Sequence, residues 1–347
     1  MVKRLFLFLC IGSIPLFAEV NLDASISAIL AANRVDNEDF TTSGMAKGNL
    51  NIKSEGDSNV KSQLTLDFIY MRNVGSLSIS KAWIKFRFPI LRVTIGKNRI
   101  TWGEGVAFNA GDVIFDDYSL SGGEGEEVDL TASELKSLNR TMGLVTFPLG
   151  RYTFTELIYL PYDFLLDGDL SSLSKGLAPQ ELEIYKHSGG GRFVTQVGGV
   201  KLETGYIYNG FTSMHKPYVS FNGSLGLDYQ LSASVKIDQD NIDGDDIAES
   251  LKISGGIIYL FDLENDKSLT LRLETQWERD NLQFYPEIAF VPTETISLFG
   301  RSIIEVDNES AKTTVGLNWK TYQGFVIGSY ITYNKDINVS VIITHSF

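Results

Sequence analysis

Residues 225–237 read Leu225-Gly226-Leu227-Asp228-Tyr229-Gln230-Leu231-Ser232-Ala233-Ser234-Val235-Lys236-Ile237. Every odd position is apolar, and the even positions carry Gly226, Asp228, Gln230, Ser232, Ser234 and Lys236. An amphipathic helix repeats its apolar positions at intervals of three and four; an interval of two belongs to a strand with one apolar face. The pattern recurs. Val20, Leu22, Ala24, Ile26, Ala28 and Leu30 alternate with Asn21, Asp23, Ser25 and Ser27. Leu251, Ile253, Ile257, Tyr259 and Phe261 form a third set, and Leu269, Leu271, Leu273 and Trp277 lie opposite Arg272, Glu274 and Gln276.

Applied along the chain, this reading gives eighteen candidate strands, from 20–32, 45–54, 59–71, 76–88 and 91–101 through 224–237, 247–261 and 268–279 to 324–334 and 337–347. Many reach the roughly 9–11 residues that a tilted strand needs to cross a bilayer, longer than the about 5–6 residues usual in soluble sheets. Short turns are expected at Leu149-Gly150, Gly198-Gly199, Asn222-Gly223 and Pro292 to Glu294. Long polar loops are expected at 33–44, 102–138, 162–190 and 238–246. Short connections at one end and long ones at the other are the mark of a transmembrane barrel. The expected fold is therefore all-β: a single antiparallel transmembrane β-barrel of about 18 strands, with 16 or 14 as alternatives, and long external loops. No later stretch has 18 consecutive apolar residues, so spanning helices are excluded.

The first residues carry a different signal. Lys3 and Arg4 precede an apolar run from Leu5 to Phe17, and Ala18 offers a small residue for cleavage. This reads as a signal peptide over 1–18, with the barrel occupying 19–347. The net charge of −13 argues against a nucleic-acid partner. Cys10 is the single cysteine, so no disulfide framework or cysteine metal site is expected. The three histidines, His187, His215 and His345, lack the partners of a catalytic or metal cluster. No cofactor, metal or catalytic residue is assigned.

The last strand alternates Ile337, Val339, Val341, Ile343, His345 and Phe347 with Asn338, Ser340, Thr344 and Ser346. A terminal Phe closing an amphipathic strand resembles the assembly signal of bacterial outer-membrane β-barrels, and the whole pattern resembles the porin-like members. The stretch Ile95-Gly96-Lys97-Asn98-Arg99-Ile100-Thr101-Trp102-Gly103-Glu104-Gly105 further resembles a strand end of alginate-export and capsule-associated barrels. The resemblance implies a cell outer-membrane location. It implies outer-membrane lipid and the barrel assembly machinery as partners, with Phe347 as the assembly signal. It also implies that the third external loop, 102–138, folds inward.

A charged face behind an apolar one in so many strands suits a water-filled lumen, because unpaired charge is costly in a dry core. The expected pore-lining residues are Lys61, Lys81, Lys85, Arg87, Arg92, Lys97, Arg99, Arg192, Arg272 and Arg301. Two breaks in the alternation predict bulges near Ser80 and Gly96, the second turning Lys97 and Arg99 inward. Asp112, Asp116, Asp117, Glu124, Glu126 and Glu127 are the expected acids of the constriction loop. Leu227 is expected to face lipid near mid-strand, and Gln230 the lumen. The function expected is passive diffusion of small hydrophilic solutes or ions, not catalysis. A surface adhesin or structural barrel is the alternative, and an outer-membrane barrel enzyme a weaker one.

Overall fold

The computed structural model describes residues 20–34, 40–54, 59–71, 74–114, 139–161, 187–210, 212–239, 244–264, 266–279, 281–321 and 323–347. The signal-peptide segment lies outside the described residues. Nineteen strands make one antiparallel sheet. The first ten are β1 (Val20–Arg34), β2 (Thr41–Ser54), β3 (Val60–Met71), β4 (Val74–Arg87), β5 (Arg92–Asn98), β6 (Arg140–Pro148), β7 (Phe154–Leu160), β8 (Ser188–Val197), β9 (Val200–Asn209) and β10 (Met214–Ser224). They are followed by β11 (Asp228–Ser234), β12 (Ile237–Asp238), β13 (Lys252–Leu263), β14 (Lys267–Glu278), β15 (Asn281–Thr293), β16 (Ile296–Glu305), β17 (Ser310–Lys320), β18 (Phe325–Asn334) and β19 (Asp336–Ser346).

Each strand pairs with its sequence neighbours, except that β11 and β12 share one place in the wall, both pairing with β10. β1 pairs with β19 as well as with β2, which closes the ring. The wall therefore has eighteen positions and no free edge, as a lipid-embedded sheet requires. A short helix, α1 (Gly244–Glu249), occupies the start of the expected 247–261 strand, which instead begins at Lys252.

Both faces follow the alternation. Leu22, Ile26 and Leu30 are largely exposed while Ile29 and Ala31 are buried within the ring. Outward aromatics gather at two heights. Tyr70, Tyr206, Trp277 and Tyr333 stand near the end opposite the termini; Phe88, Tyr259, Phe261, Trp319 and Phe325 stand near the end that carries them. Amphipathic rings prefer the two membrane–water boundaries, so these two belts mark the apolar band between them. Phe347 follows β19, its N–H donating to the Ala24 carbonyl at 2.8 Å and its ring edge-on to His345.

The connections at the termini end are all short. The long ones, 99–139, 161–187 and 239–251, all join strand ends at the opposite end, but that end also holds tight turns such as Lys335 between β18 and β19. Two expected turns are displaced. Asn222 and Gly223 continue β10, the turn falling at 225–227, and Pro292 lies in β15, which turns at 294–295. Leu227 therefore sits in a turn at the termini end rather than at mid-strand. Its neighbour in pattern, Leu231, is the outward residue near the middle of β11, 49% exposed.

The β3–β4 ladder shifts register between Thr65 and Leu66, so that Ser80 is the extra residue. Leu77 and Ile79 before it, and Ile84 and Phe86 after it, all pair with outward residues of β3. The second expected bulge is absent: β5 pairs without interruption with β4 and with β6. Gly96 instead takes φ 126°, a conformation open to glycine. Lys97, next in line, is buried at 8% exposure rather than laid on the lipid face.

Candidate functional site

The lumen wall is chemically divided. On β1 to β5 the inward row carries Asp23, Lys47, Lys53, Lys61, Asp67, Lys81, Lys85, Arg87 and Arg92, each lying opposite an inward partner on a neighbouring strand. On β16 to β1 the inward contacts are largely between uncharged polar groups: Thr314 with Thr332 at 3.0 Å, Ser27 with Thr344 at 2.9 Å, and the Tyr330 hydroxyl donating to Asn318 Oδ1 at 2.6 Å. On β13 to β15 charges are paired, Arg272 with Glu287 at 2.8 Å and Lys252 with Glu278 at 3.2 Å.

The wall of β6 and β7 departs from this. Met142, Leu144, Ile158 and Leu160 point inward and are buried, while Leu157 and Tyr159 are about half exposed on the outer face. Apolar side chains facing a lumen need a cover. The segment 99–114, which leaves β5, supplies it. Trp102 is fully buried and, with Val113 and Ile114, joins Met142, Leu144, Ile158, Leu160, Ile207 and Tyr218 in one apolar cluster inside the ring. The Trp102 ring stacks on Tyr218 with centroids 5.7 Å apart.

Two wall carboxylates hold the same segment by its backbone. Glu203 on β9 accepts hydrogen bonds from the Gly103 N–H at 2.8 Å, from the Tyr218 hydroxyl at 2.5 Å and from Arg192 at 2.9 Å. Glu274 on β14, with no exposed surface, accepts from three successive N–H groups: Val106 at 3.1 Å, Ala107 at 2.8 Å and Phe108 at 3.0 Å. Three N–H groups converging on one carboxylate offset the cost of burying its charge. The Ala110 N–H donates to Ser254 Oγ at 2.8 Å, and Phe108 meets Tyr285 edge-on. The segment thus touches β9, β10, β13, β14 and β15 from within. It is closed on itself by Arg99 and Asp112, 3.5 Å apart, and by Asn109, whose amide donates to the Trp102 carbonyl at 3.0 Å.

Its tight path depends on glycine. Gly105 has φ 152°, and a Cβ there would lie 1.9 Å from the Phe108 carbonyl oxygen. A Gly105→Ala variant is expected to fold as a barrel but to lose the seated segment, at a cost of at least about 1–3 kcal/mol from the backbone alone. Limited trypsin digestion of the protein in detergent should then cut after Arg99, where the wild type is protected. Equal protection of both forms would contradict this.

Apart from the buried Lys97, the expected site residues that the structure describes in the lumen fall into three groups. Lys61, Lys81, Lys85, Arg87 and Arg92 share the inward face of β3 to β5. Arg99 and Asp112 belong to the inserted segment and bind each other. Arg192, Arg272 and Arg301 point inward from other strands and are engaged there. Arg192 bridges Glu156 at 2.6 Å and Glu203, donates to the Thr101 carbonyl at 3.2 Å, and lies 5.7 Å from the Trp102 ring centre. Its surroundings make it a holder of the segment. Arg301 lies 5.2 Å from the centre of the Phe299 ring. The remaining loop acids, Asp116, Asp117, Glu124, Glu126 and Glu127, lie outside the described residues. The alternation placed Glu274 opposite the apolar row of its strand but gave no sign that it or Glu203 holds a backbone. The signal for the seated segment was the loss of alternation at Leu144-Val145 and Leu157-Ile158-Tyr159-Leu160, since an apolar run bounded by turns marks a strand covered on both faces.

No family model matches the chain, and no curated protein does. Solved structures do. Two mutant forms of Rh. blastica porin each match over 95% of this chain and all of theirs, with a TM-score of 0.50 and 13% identity. A structure described under asymmetric conductivity of engineered proteins matches with the same values. At this identity the likeness is one of fold. Eighteen antiparallel wall positions, closed through β1 and β19 and covered end to end by that match, give this chain the fold of a porin-like outer-membrane β-barrel.

Proposed function

We propose that the protein is an outer-membrane channel for passive diffusion of small hydrophilic solutes or ions, its lumen narrowed by the loop that begins with residues 99–114. The observation that carries this reading is the seating of that segment across the ring, from the end of β5 to Glu203 and Glu274. It covers the apolar wall of β6 and β7 and leaves the cation-rich face of β2 to β5 and the hydroxyl-lined face of β16 to β19 for water. A cleft of about 360 Å³ lies between Glu104 and Asn222, Asp228, Tyr229 and Gln230, on the termini side of the segment. Polar walls on both sides of a narrow passage set what passes by charge and size.

In this reading the chain is exported by its first 18 residues, the barrel assembly machinery takes Phe347 as its signal, and the outer wall meets outer-membrane lipid. A channel role is favoured over an adhesin because the inserted segment is built into the lumen, where a surface ligand has no access. Liposomes containing the refolded protein should swell in isotonic solutions of small sugars, and more slowly as the sugar grows. Swelling no faster than in protein-free liposomes would overturn the proposal.

A further inference from the structure

The cations of β3 to β5 are not spread evenly. Lys61 stands directly across from Lys85, and Arg87 directly across from Arg92. Lys85 and Arg87 are two apart in β4 and share its inner face. Directly opposed residues of an antiparallel pair have Cβ atoms about 4.5–5.5 Å apart, and like charges so placed repel. Four cations are thus gathered at the termini end of the lumen, two strand residues deep.

On other stretches of the inner face several cations stand beside acids: Lys53 by Asp23 at 3.0 Å, Arg192 by Glu156 and Glu203, Arg272 by Glu287. Along the ladder from Arg87 the inward row runs Arg92, Thr146, Glu156 and Arg192. The first carboxylate it reaches, Glu156, is already bound by Arg192 at 2.6 Å and by the Thr146 hydroxyl at 3.1 Å. Arg87 and Lys61 are exposed to the lumen, and Lys85 and Arg92 half-buried. Two guanidinium forks beside ammonium donors match an anion with several oxygens better than a single halide, because each fork binds two oxygens at once.

We propose that Lys85, Arg87 and Arg92, with Lys61 across from Lys85, form a binding site for a small multivalent oxyanion of the phosphate or pyrophosphate class at the termini end of the lumen. The proposal rests on the channel reading for access, but binding and conduction are separable. In planar bilayers holding the full-length protein at low ionic strength, where screening is weak, inorganic pyrophosphate should reduce the chloride current. The Lys85→Gln/Arg92→Gln double variant should raise the half-blocking concentration by about tenfold or more, at least about 1.4 kcal/mol. Lys81→Gln, on the same wall but outside the cluster, should raise it far less than the double variant does. Titration calorimetry of the detergent-solubilised protein with pyrophosphate tests the site without conduction. Heat of binding that is lost in the double variant, with both proteins still heat-modifiable barrels, supports the site even if no current flows. Current without block, block equal in wild type and double variant, or no binding heat in the wild type would overturn it.

Discussion

Glu274→Ala is expected to raise single-channel conductance, with the barrel intact. The side chain has no exposed surface and takes three consecutive N–H groups of the inserted segment. Hydrogen bonds to a charged group contribute about 1.5–3 kcal/mol each, and a buried donor left unpaired costs about 1–3 kcal/mol. The contributions are not additive, but removing one carboxylate withdraws the acceptor for Val106, Ala107 and Phe108 together. Few single substitutions in the lumen act on so many backbone groups. The segment then gains by leaving the wall, and the passage widens. Glu274→Gln keeps an oxygen in place without the charge, so its effect should be smaller and in the same direction. Conductance equal to wild type in the alanine variant would mean that Glu274 does not hold the segment, or that the segment does not narrow the passage.

Leu231→Arg is expected to abolish or strongly reduce insertion, while Gln230→Arg is tolerated. The two residues are adjacent in β11 and point to opposite faces: Leu231 is 49% exposed on the outside, opposite Gly255, and Gln230 faces inward, opposite Gly256. A cation placed toward lipid near the middle of a barrel costs about 2–4 kcal/mol, and the same cation in a polar lumen costs little. The fraction of heat-modifiable, SDS-resistant barrel on gels reads this directly. Equal losses for both variants would mean that β11 has the opposite facing.

The strands were readable because each carries its two environments in adjacent residues. Ile26 and Ser27, or Leu273 and Glu274, separate lipid from lumen with no help from the rest of the chain. Even the extra residue at Ser80 shows, because Leu77 and Ile79 are out of step with Ala82 and Ile84. Turns were less legible. Asn222-Gly223 has the composition of a hairpin turn, yet Asn222 still pairs with β9 and the ladder with β11 runs on to Ser224, since strand pairing outweighs the local preference. At Gly96 the alternation signals a change of facing but not its means. A glycine φ achieves without an inserted residue what a bulge achieves with one.

The lumen was half legible. Inward cations on β3 to β5 follow from parity alone, because a strand fixes where each one points. That Glu203 and Glu274 hold a loop does not follow. Hydrogen bonds from Gly103, Val106, Ala107 and Phe108 are made by backbone groups, which every residue but proline has and no pattern records. What the sequence does carry is the matching apolar pair: Met142, Leu144, Ile158 and Leu160 inside, and Trp102, Val113 and Ile114 to cover them.

Single-channel recording of the refolded full-length protein in planar bilayers tests the central claim most directly. The account predicts discrete conductance steps in the wild type, and larger steps, recorded in the same salt, in the Glu274→Ala protein. A folded, heat-modifiable wild-type barrel that inserts into the bilayer and passes no current would contradict it.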